Sequence, residues 1–248
     1  MEVNQRPSTE TIKLIPVDGQ FGGVALVDTM KIDPTLKTVN MARGSLGKWV
    51  VELQDKDISL VWHLGNEEHT SPFRHSPITL FVQCPEFVAR QWYKHVIGGE
   101  YTFKDNAWNE ISGRYIVYDQ FWIPDEFHMQ ARIKKAGGTS EVHPQSDFLR
   151  EHYISAQKVA IETYKMLISE GVAREEARTL LPLGVYTSFF WTTSQQALRH
   201  FVRLRTAKDA QIHIRKYAEV INTICEAHYG ESWRAFQDGE QPIKVAGE

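Results

Sequence analysis

The chain has 248 residues, 42% of them hydrophobic and 11% aromatic, which is enough apolar surface for one large domain or two small ones. Its net charge of -3, with acidic and basic residues interspersed, argues against a polyanion such as nucleic acid as partner, because counterion-release binding needs a basic face. The two cysteines, Cys84 and Cys225, lie far apart, so neither a disulfide framework nor a CxxC metal knuckle is implied; the polar N-terminal stretch lacks a signal-peptide core and a membrane span, and a reducing cytoplasm is the expected compartment.

In chain order, Gly22 to Asp28 reads as a short strand, and Asp57 to Asn66 carries Ile58, Val61, Trp62 and Leu64 at helical spacing. Ile78 to Cys84 is a β-rich run, and Pro85 starts a helix expected to continue through Val96. Gly98-Gly99 opens a polar loop that returns at Trp108. Tyr115 to Trp122 reads as an aromatic strand closed by Pro124, and Lys134 to Pro144 as a loop around Gly137-Gly138. From Glu151 the pattern turns helical: Ile154, Val159, Ile161, Tyr164, Leu167 and Ile168 form an amphipathic stripe that stops at Gly171. Short helical patterns follow over Ala173 to Leu181, ended by Pro182, then over Ser194 to Arg205 and Ala210 to His228. No repeat or linker interrupts the chain, so a single α+β domain over residues 22–237 is expected, with polar ends at 1–21 and 238–248.

Chemistry concentrates in one place. Arg90-Gln91-Trp92-Tyr93-Lys94-His95 and Trp108-Asn109-Glu110-Ile111-Ser112-Gly113-Arg114-Tyr115 gather cations, amides, a histidine, a carboxylate and a serine. Guanidinium forks match phosphate oxygens and the hydroxyl and amide groups fill remaining lone pairs, so a phosphorylated ligand is implied. A metal site at His63, His69 and His75 is not, since no HExxH or Cys/His set accompanies them. Gly98-Gly99 lacks a GxGxxG setting, and Ser112 lacks the GxSxG of a hydrolase elbow. Trp92, Trp108, Trp191 and Phe189-Phe190 read as core before they read as stacking partners for a ligand.

Six blocks together resemble the flavin-dependent thymidylate synthases: His69-Thr70-Ser71-Pro72-Phe73-Arg74-His75, Phe87-Val88-Ala89-Arg90-Gln91-Trp92, Asn109 to Tyr115, Leu181-Pro182-Leu183, Phe189-Phe190-Trp191-Thr192 and Leu204-Arg205. Their order and spacing agree from about Gly22 to Phe236. The resemblance implies an α+β fold, a mixed sheet packed with helices and a helical second half. It implies a methyltransferase-type FAD enzyme that converts dUMP to dTMP with methylenetetrahydrofolate as one-carbon donor and NADPH as reductant, assembled as a homotetramer. It places Gln91, Glu110, Ser112, Gly113, Arg114 and Arg178 on the nucleotide and Arg205 on the uracil ring as the catalytic candidate. It places His69, Ser71, Arg74, Lys94, His95, Val96, Ile97, Glu110, His200 and Gln211 on FAD, with no metal.

The chain also departs from the pattern it resembles. Lys94-His95-Val96 stands where Arg-His-Arg is common, exchanging one guanidinium for a point-charge ammonium and losing the other. The loop from Ile97 to Asn109 is longer, and Asp209 replaces a common histidine. Two alternatives therefore stand beside the synthase: a relative making a hydroxymethylated pyrimidine nucleotide, and a catalytically idle nucleotide-binding protein.

Overall fold

A computed structural model of the chain describes residues 12–95, 107–131 and 138–238. Ile15–Pro16 (β1) and Gly23–Thr29 (β2) pair through a turn held by Asp18, whose Oδ1 accepts the amides of Gln20 and Gly22. Pro34–Gly44 (α1) starts where its sequence says it should, since the Asp33 side chain caps the Leu36 amide at 2.8 Å and proline occupies the first turn. Asp55–Asn66 (α2) packs against it through the buried Asp57 carboxylate, which accepts the Gln54 amide at 2.9 Å and pairs with Arg43 of α1. A 3-10 turn at Ser71–Arg74 leads to Ile78–Pro85 (β3) and directly into Glu86–Trp92 (α3). Trp108–Glu110 (β4), His128–Gln130 (β5) and Gly138–Val142 (β6) follow, then the long Ser146–Ser169 (α4). Arg174–Ala177 (α5) runs into a 3-10 turn at Arg178–Leu180. The chain then makes Tyr186–Thr193 (β7), Gln195–Arg205 (α6), Ile212–Tyr229 (α7) and Glu231–Asp238 (α8).

The main sheet has the order β1-β2-β3-β7-β4, with every pairing antiparallel. Strands β3 and β7 pair without a break from Ile78↔Thr193 to Pro85↔Tyr186. Both are buried over most of their length, which is why β3 reads as a β-rich run that alternates only in part. The largest core joins Leu80, Val82, Phe189 and Trp191 of these strands to Trp92 of α3, Phe201 of α6 and Tyr217 of α7. Trp92 is its centre, stacked on Phe201 at 4.5 Å and meeting Phe189, Trp191 and Tyr217 edge-on. A second cluster joins α1, α2 and α8, where Phe73 stacks on Phe236 at 4.1 Å. A third packs the segment around Tyr118 and Phe121 against Tyr164 of α4.

The α+β class and the helices of the second half agree with the sequence pattern, including the stop of α4. There Gly171 takes φ +85°, and the amide of Val172 bonds back to Leu167, the glycine C-cap its position implies. Several boundaries differ. Helix α3 ends at Trp92, not Val96; Val96, Ile97 and Gly98-Gly99 lie outside the described residues. Tyr115 to Trp122 is not a strand: it is irregular, with an isolated β-bridge at Phe121↔Val185, and Tyr118 and Phe121 are buried in the cluster around Tyr164 of α4 and not by alternation. The stretch read as a loop from Lys134 contains β6, which pairs with β5 through His128↔Val142. Strand β7 sits inside the half that reads as helical, because its aromatic and β-branched run needs the distant β3 to complete it.

Helix α2 crosses α8 at Gly65, where an added β-carbon would stand in the space of the Ala235 carbonyl. Gly65→Ala is expected to destabilise the protein by about 1–3 kcal/mol through overpacking. Gly44→Ala, at an open helix end with nothing within 4 Å of its β-carbon, should leave the melting temperature unchanged or slightly raised in the same thermal unfolding experiment.

Candidate functional site

The pairing of β3 with β7 places two helices and one further strand relative to one another. Helix α3 leaves the end of β3, α6 leaves the end of β7 after Ser194 caps it through the Ala197 amide, and β4 adds to the outer side of β7. Between α3 and β4 lies a cleft of about 650 Å³, lined by Glu86, Arg90, Tyr93, Lys94, Trp108 and Glu110.

One wall is acidic and well anchored. Glu110 Oε1 accepts the Thr187 hydroxyl from β7, and Oε2 accepts the Trp108 indole N–H at 3.2 Å, while the indole stacks on Phe189 at 3.6 Å. Burial and then the neighbouring Glu110 carboxylate raise the pKa of Glu86, with Arg90 opposing them at 3.8 Å. Beyond Glu110 the chain turns through Ser112, whose Oγ accepts both the backbone and side-chain N–H of Arg114 at 3.3 Å. Gly113 is buried against Tyr118 and Arg178: a β-carbon there would lie 2.8 Å from the Tyr118 ring and 3.2 Å from Arg178 Cδ. Arg114 and Arg178 are exposed and make no ion pair among the described residues, so both guanidinium groups are available to an anion.

A second, cationic group gathers at the C-terminus of α3, next to the cleft-lining Lys94. Arg205, at the end of α6, donates from Nε to His95 Nε2 at 2.8 Å and from a terminal nitrogen to the Gln91 carbonyl at 3.1 Å. It thereby ties α6 to the C-terminus of α3, satisfying a carbonyl the helix leaves open. His95 must accept there and is neutral; burial, then Arg205 and His200, lower its pKa to about 4. The His200 ring stands 6.0 Å away, its own pKa lowered by burial and then by Arg203. Gln91 donates from Nε2 to Gln211 Oε1. Gln91, Lys94, His95, His200, Arg205 and Gln211 thus gather where α3, α6 and α7 meet.

His69, Ser71 and Arg74 are elsewhere. Arg74 donates to Gln196 at the start of α6 and to Thr70, whereas Arg205 ends that helix nine residues on, about 14 Å away at the α-helical rise. Within one chain, therefore, the residues expected to share a ligand fall into two groups. Val96 and Ile97 lie outside the described residues. Among the described residues no group of His, Cys, Asp and Glu is placed to hold a metal, and no helix is long and apolar enough to cross a membrane. Cys84 and Cys225 are fully buried, with thiol pKa values pushed well up by burial, which leaves them poor nucleophiles.

Sequence reasoning missed Glu86, Thr187 and Gln196. Glu86 carries a local signal, its i,i+4 relation to Arg90 on a short helix. Thr187 and Gln196 carry none, because their partners are reached only through the pairing of distant strands. Trp108, read as core, is half-buried and lines the cleft; Trp92 and Trp191 are core.

Residues 25–229 match the Thy1 family model, described as thymidylate synthase complementing protein. A flavin-dependent thymidylate synthase of Thermus thermophilus is 36% identical over 218 residues, covering 88% of this chain and 76% of the relative. One of Treponema denticola is 38% identical over 211 residues, covering 83% of this chain and 75% of its own. Among solved structures, the UMP/dUMP methylase PolB from Streptomyces cacaoi bound with 5-Br dUMP superposes with a TM-score of 0.74 at 26% identity, covering 88% of this chain and 95% of that one. The extent of these matches and the agreement of fold settle the kinship: the chain belongs to the Thy1 family, that of the flavin-dependent thymidylate synthases.

Proposed function

We propose that the protein is a flavin-dependent thymidylate synthase that methylates dUMP to dTMP, using FAD, methylenetetrahydrofolate and NADPH. The observation that carries this reading is the constellation around the cleft: exposed Arg114 and Arg178 beside Ser112, an anchored Glu110 carboxylate, and Arg205 fixed by His95 and the Gln91 carbonyl.

Each group has a role its chemistry supports. Arg114 and Arg178 take the phosphate, and the Ser112 hydroxyl, accepting from Arg114, keeps its own proton to donate to a phosphate oxygen. Glu110, acceptor-only while ionised and held by Thr187 and Trp108, suits a sugar hydroxyl. Arg205 places a fixed positive charge against the uracil ring, where it favours electron density rising toward C5 as the ring attacks the one-carbon unit. The neutral His95 leaves that charge undivided, because its accepting nitrogen aims the guanidinium without adding a second cation.

The donor set also fits an anionic aromatic cofactor. Lys94 and Arg74 supply cations for a pyrophosphate, Ser71 and Gln211 hydrogen bonds, and His69, His95 and His200 imidazole faces and edges. When bound there, flavin supplies the reducing equivalents that complete the methyl group. Because Arg74 and Lys94 belong to different groups in one chain, a site using both draws on more than one copy, in keeping with a homotetramer.

Anaerobic incubation with FAD, NADPH, methylenetetrahydrofolate and dUMP should yield a nucleotide heavier by one methyl group by mass spectrometry. A hydroxymethyl gain would favour the alternative product, and unchanged dUMP beside bound flavin would sink the synthase reading. UMP belongs in the same assay, since the PolB structure is that of a UMP/dUMP methylase. Arg205→Ala is expected to lose about 10²–10³ in turnover, the scale of deleting one charge-stabilising donor; near-normal turnover would remove Arg205 from the chemistry.

Removing that guanidinium also removes a charge that opposes protonation of His95. In Arg205→Ala the His95 pKa should rise from about 4 toward the ordinary histidine value, read by NMR titration of the imidazole. Burial, the larger cause, keeps the rise partial. An unmoved pKa would show that Arg205 does not set the state of His95.

A further inference from the structure

A hydrogen-bond chain leads away from the cleft through Gln91, and its polarity can be read from one end. Gln91 Nε2 faces the Phe87 carbonyl at 3.3 Å, an oxygen that can only accept, so the amide must turn its NH2 group to that side. The same nitrogen donates to Gln211 Oε1. Gln211 is then obliged to present Nε2 to His213, whose Nδ1 lies 3.2 Å away. A donor facing Nδ1 requires a lone pair there, which makes His213 the neutral tautomer protonated on Nε2.

We propose that His213 is a positioning residue for the nucleotide: its bare Nδ1 fixes the Gln211 amide, Gln211 fixes Gln91, and Gln91 is left with Oε1 to accept a sugar hydroxyl or base N–H. The inference rests on the reading of Gln91 as a nucleotide contact. Both hydrogens of the Gln91 amide are committed, to Phe87 and to Gln211, so the group it offers to a ligand is an acceptor. That separates its role from those of Arg114 and Arg178, which offer only donors.

The surroundings of His213 hold the ring in this state. It sits edge-on to Phe87 at 5.2 Å and to Trp122 at 4.9 Å, in the first turn of α7, where the helix dipole disfavours a cation. Burial is the main cause of its lowered pKa; Lys216 on its own helix and His128 of β5 add to it, and Asp18 in the β1–β2 turn opposes it. When the ring is protonated, Nδ1 becomes a donor and Gln211 must reverse. Its NH2 group then faces that of Gln91, and Gln91 either tolerates two opposed donors or gives up Phe87. Nucleotide affinity should therefore fall as the pH drops below the ordinary imidazole range.

The test is the dissociation constant of dUMP, measured by titration calorimetry on the FAD-loaded protein from neutral to acidic pH. The variants are His213→Leu, His213→Asn and Gln91→Ala. Asparagine places an amide oxygen near the position of Nδ1 and cannot become a cation. His213→Leu should weaken dUMP about fivefold at neutral pH, the worth of one ordered hydrogen bond. His213→Asn should restore neutral-pH affinity and bind more tightly than wild type in acid, where the phosphate and His95 titrate equally in both proteins. Wild-type affinity and an unaltered pH profile in both His213 variants, with Gln91→Ala weakened, would overturn the role of His213 alone. Wild-type affinity in Gln91→Ala would overturn the reading of Gln91 and this inference with it.

Discussion

The unbroken antiparallel register between β3 and β7 is the constraint on which the site depends. One strand ends where α3 begins and the other where α6 begins, so the register decides which residue of α3 meets which residue of α6. Because side chains alternate with a period of two, a slip of β7 by one residue would exchange its two faces. Trp191 and Phe189 would leave the core around Trp92, and β4, paired to β7 through Glu110↔Phe189, would be carried with β7 to a different place relative to α3. The hydrophobic core and the Glu110 side of the site are thus joined through β7, and the burial of Trp92, Phe201 and Tyr217 secures the β3–β7 register.

What could be read from the sequence divides along the same line. Local signals were legible: the β-rich run of β3, the glycine stop of α4 and the serine cap of α6 each act within a few residues. Helix α1 had the signal too, an Asp33-Pro34 start, though its weak amphipathicity hides it from a search for apolar stripes. Strand β7 and the irregular stretch at Tyr115 to Trp122 were not legible, because aromatic runs do not declare whether they will pair or pack. The polar cluster at Ser112 and Arg114, which suits a phosphate, was visible in residue type and spacing alone. The division of the residues expected on the cofactor into two groups at opposite ends of α6 was not, since spacing along the chain says nothing about which end of a helix a distant turn will meet.

The electrostatics of the cleft show a separation of labour. Its anionic side is built on the sheet, where Glu110 draws donors from β7 and from its own strand. The cationic group beside it is built on helix ends, where Arg205 both completes the C-terminus of α3 and meets a histidine kept neutral. Glu110 and Arg205 stand on different elements and make no ion pair with each other among the described residues, which keeps both available to a ligand. Buried cysteines contribute packing and no chemistry, in accord with a fold that leaves redox work to a bound cofactor.

The close approach of Gly113 to Arg178 has a hereditary side. Every missense change in a glycine codon adds at least a β-carbon, and here that carbon meets the Tyr118 ring and displaces the Arg178 stem. The bare backbone at 113 and the side chain at 178, well separated in the gene, are therefore coupled: a β-carbon at 113 is accommodated only if the Tyr118 ring and the Arg178 stem give way.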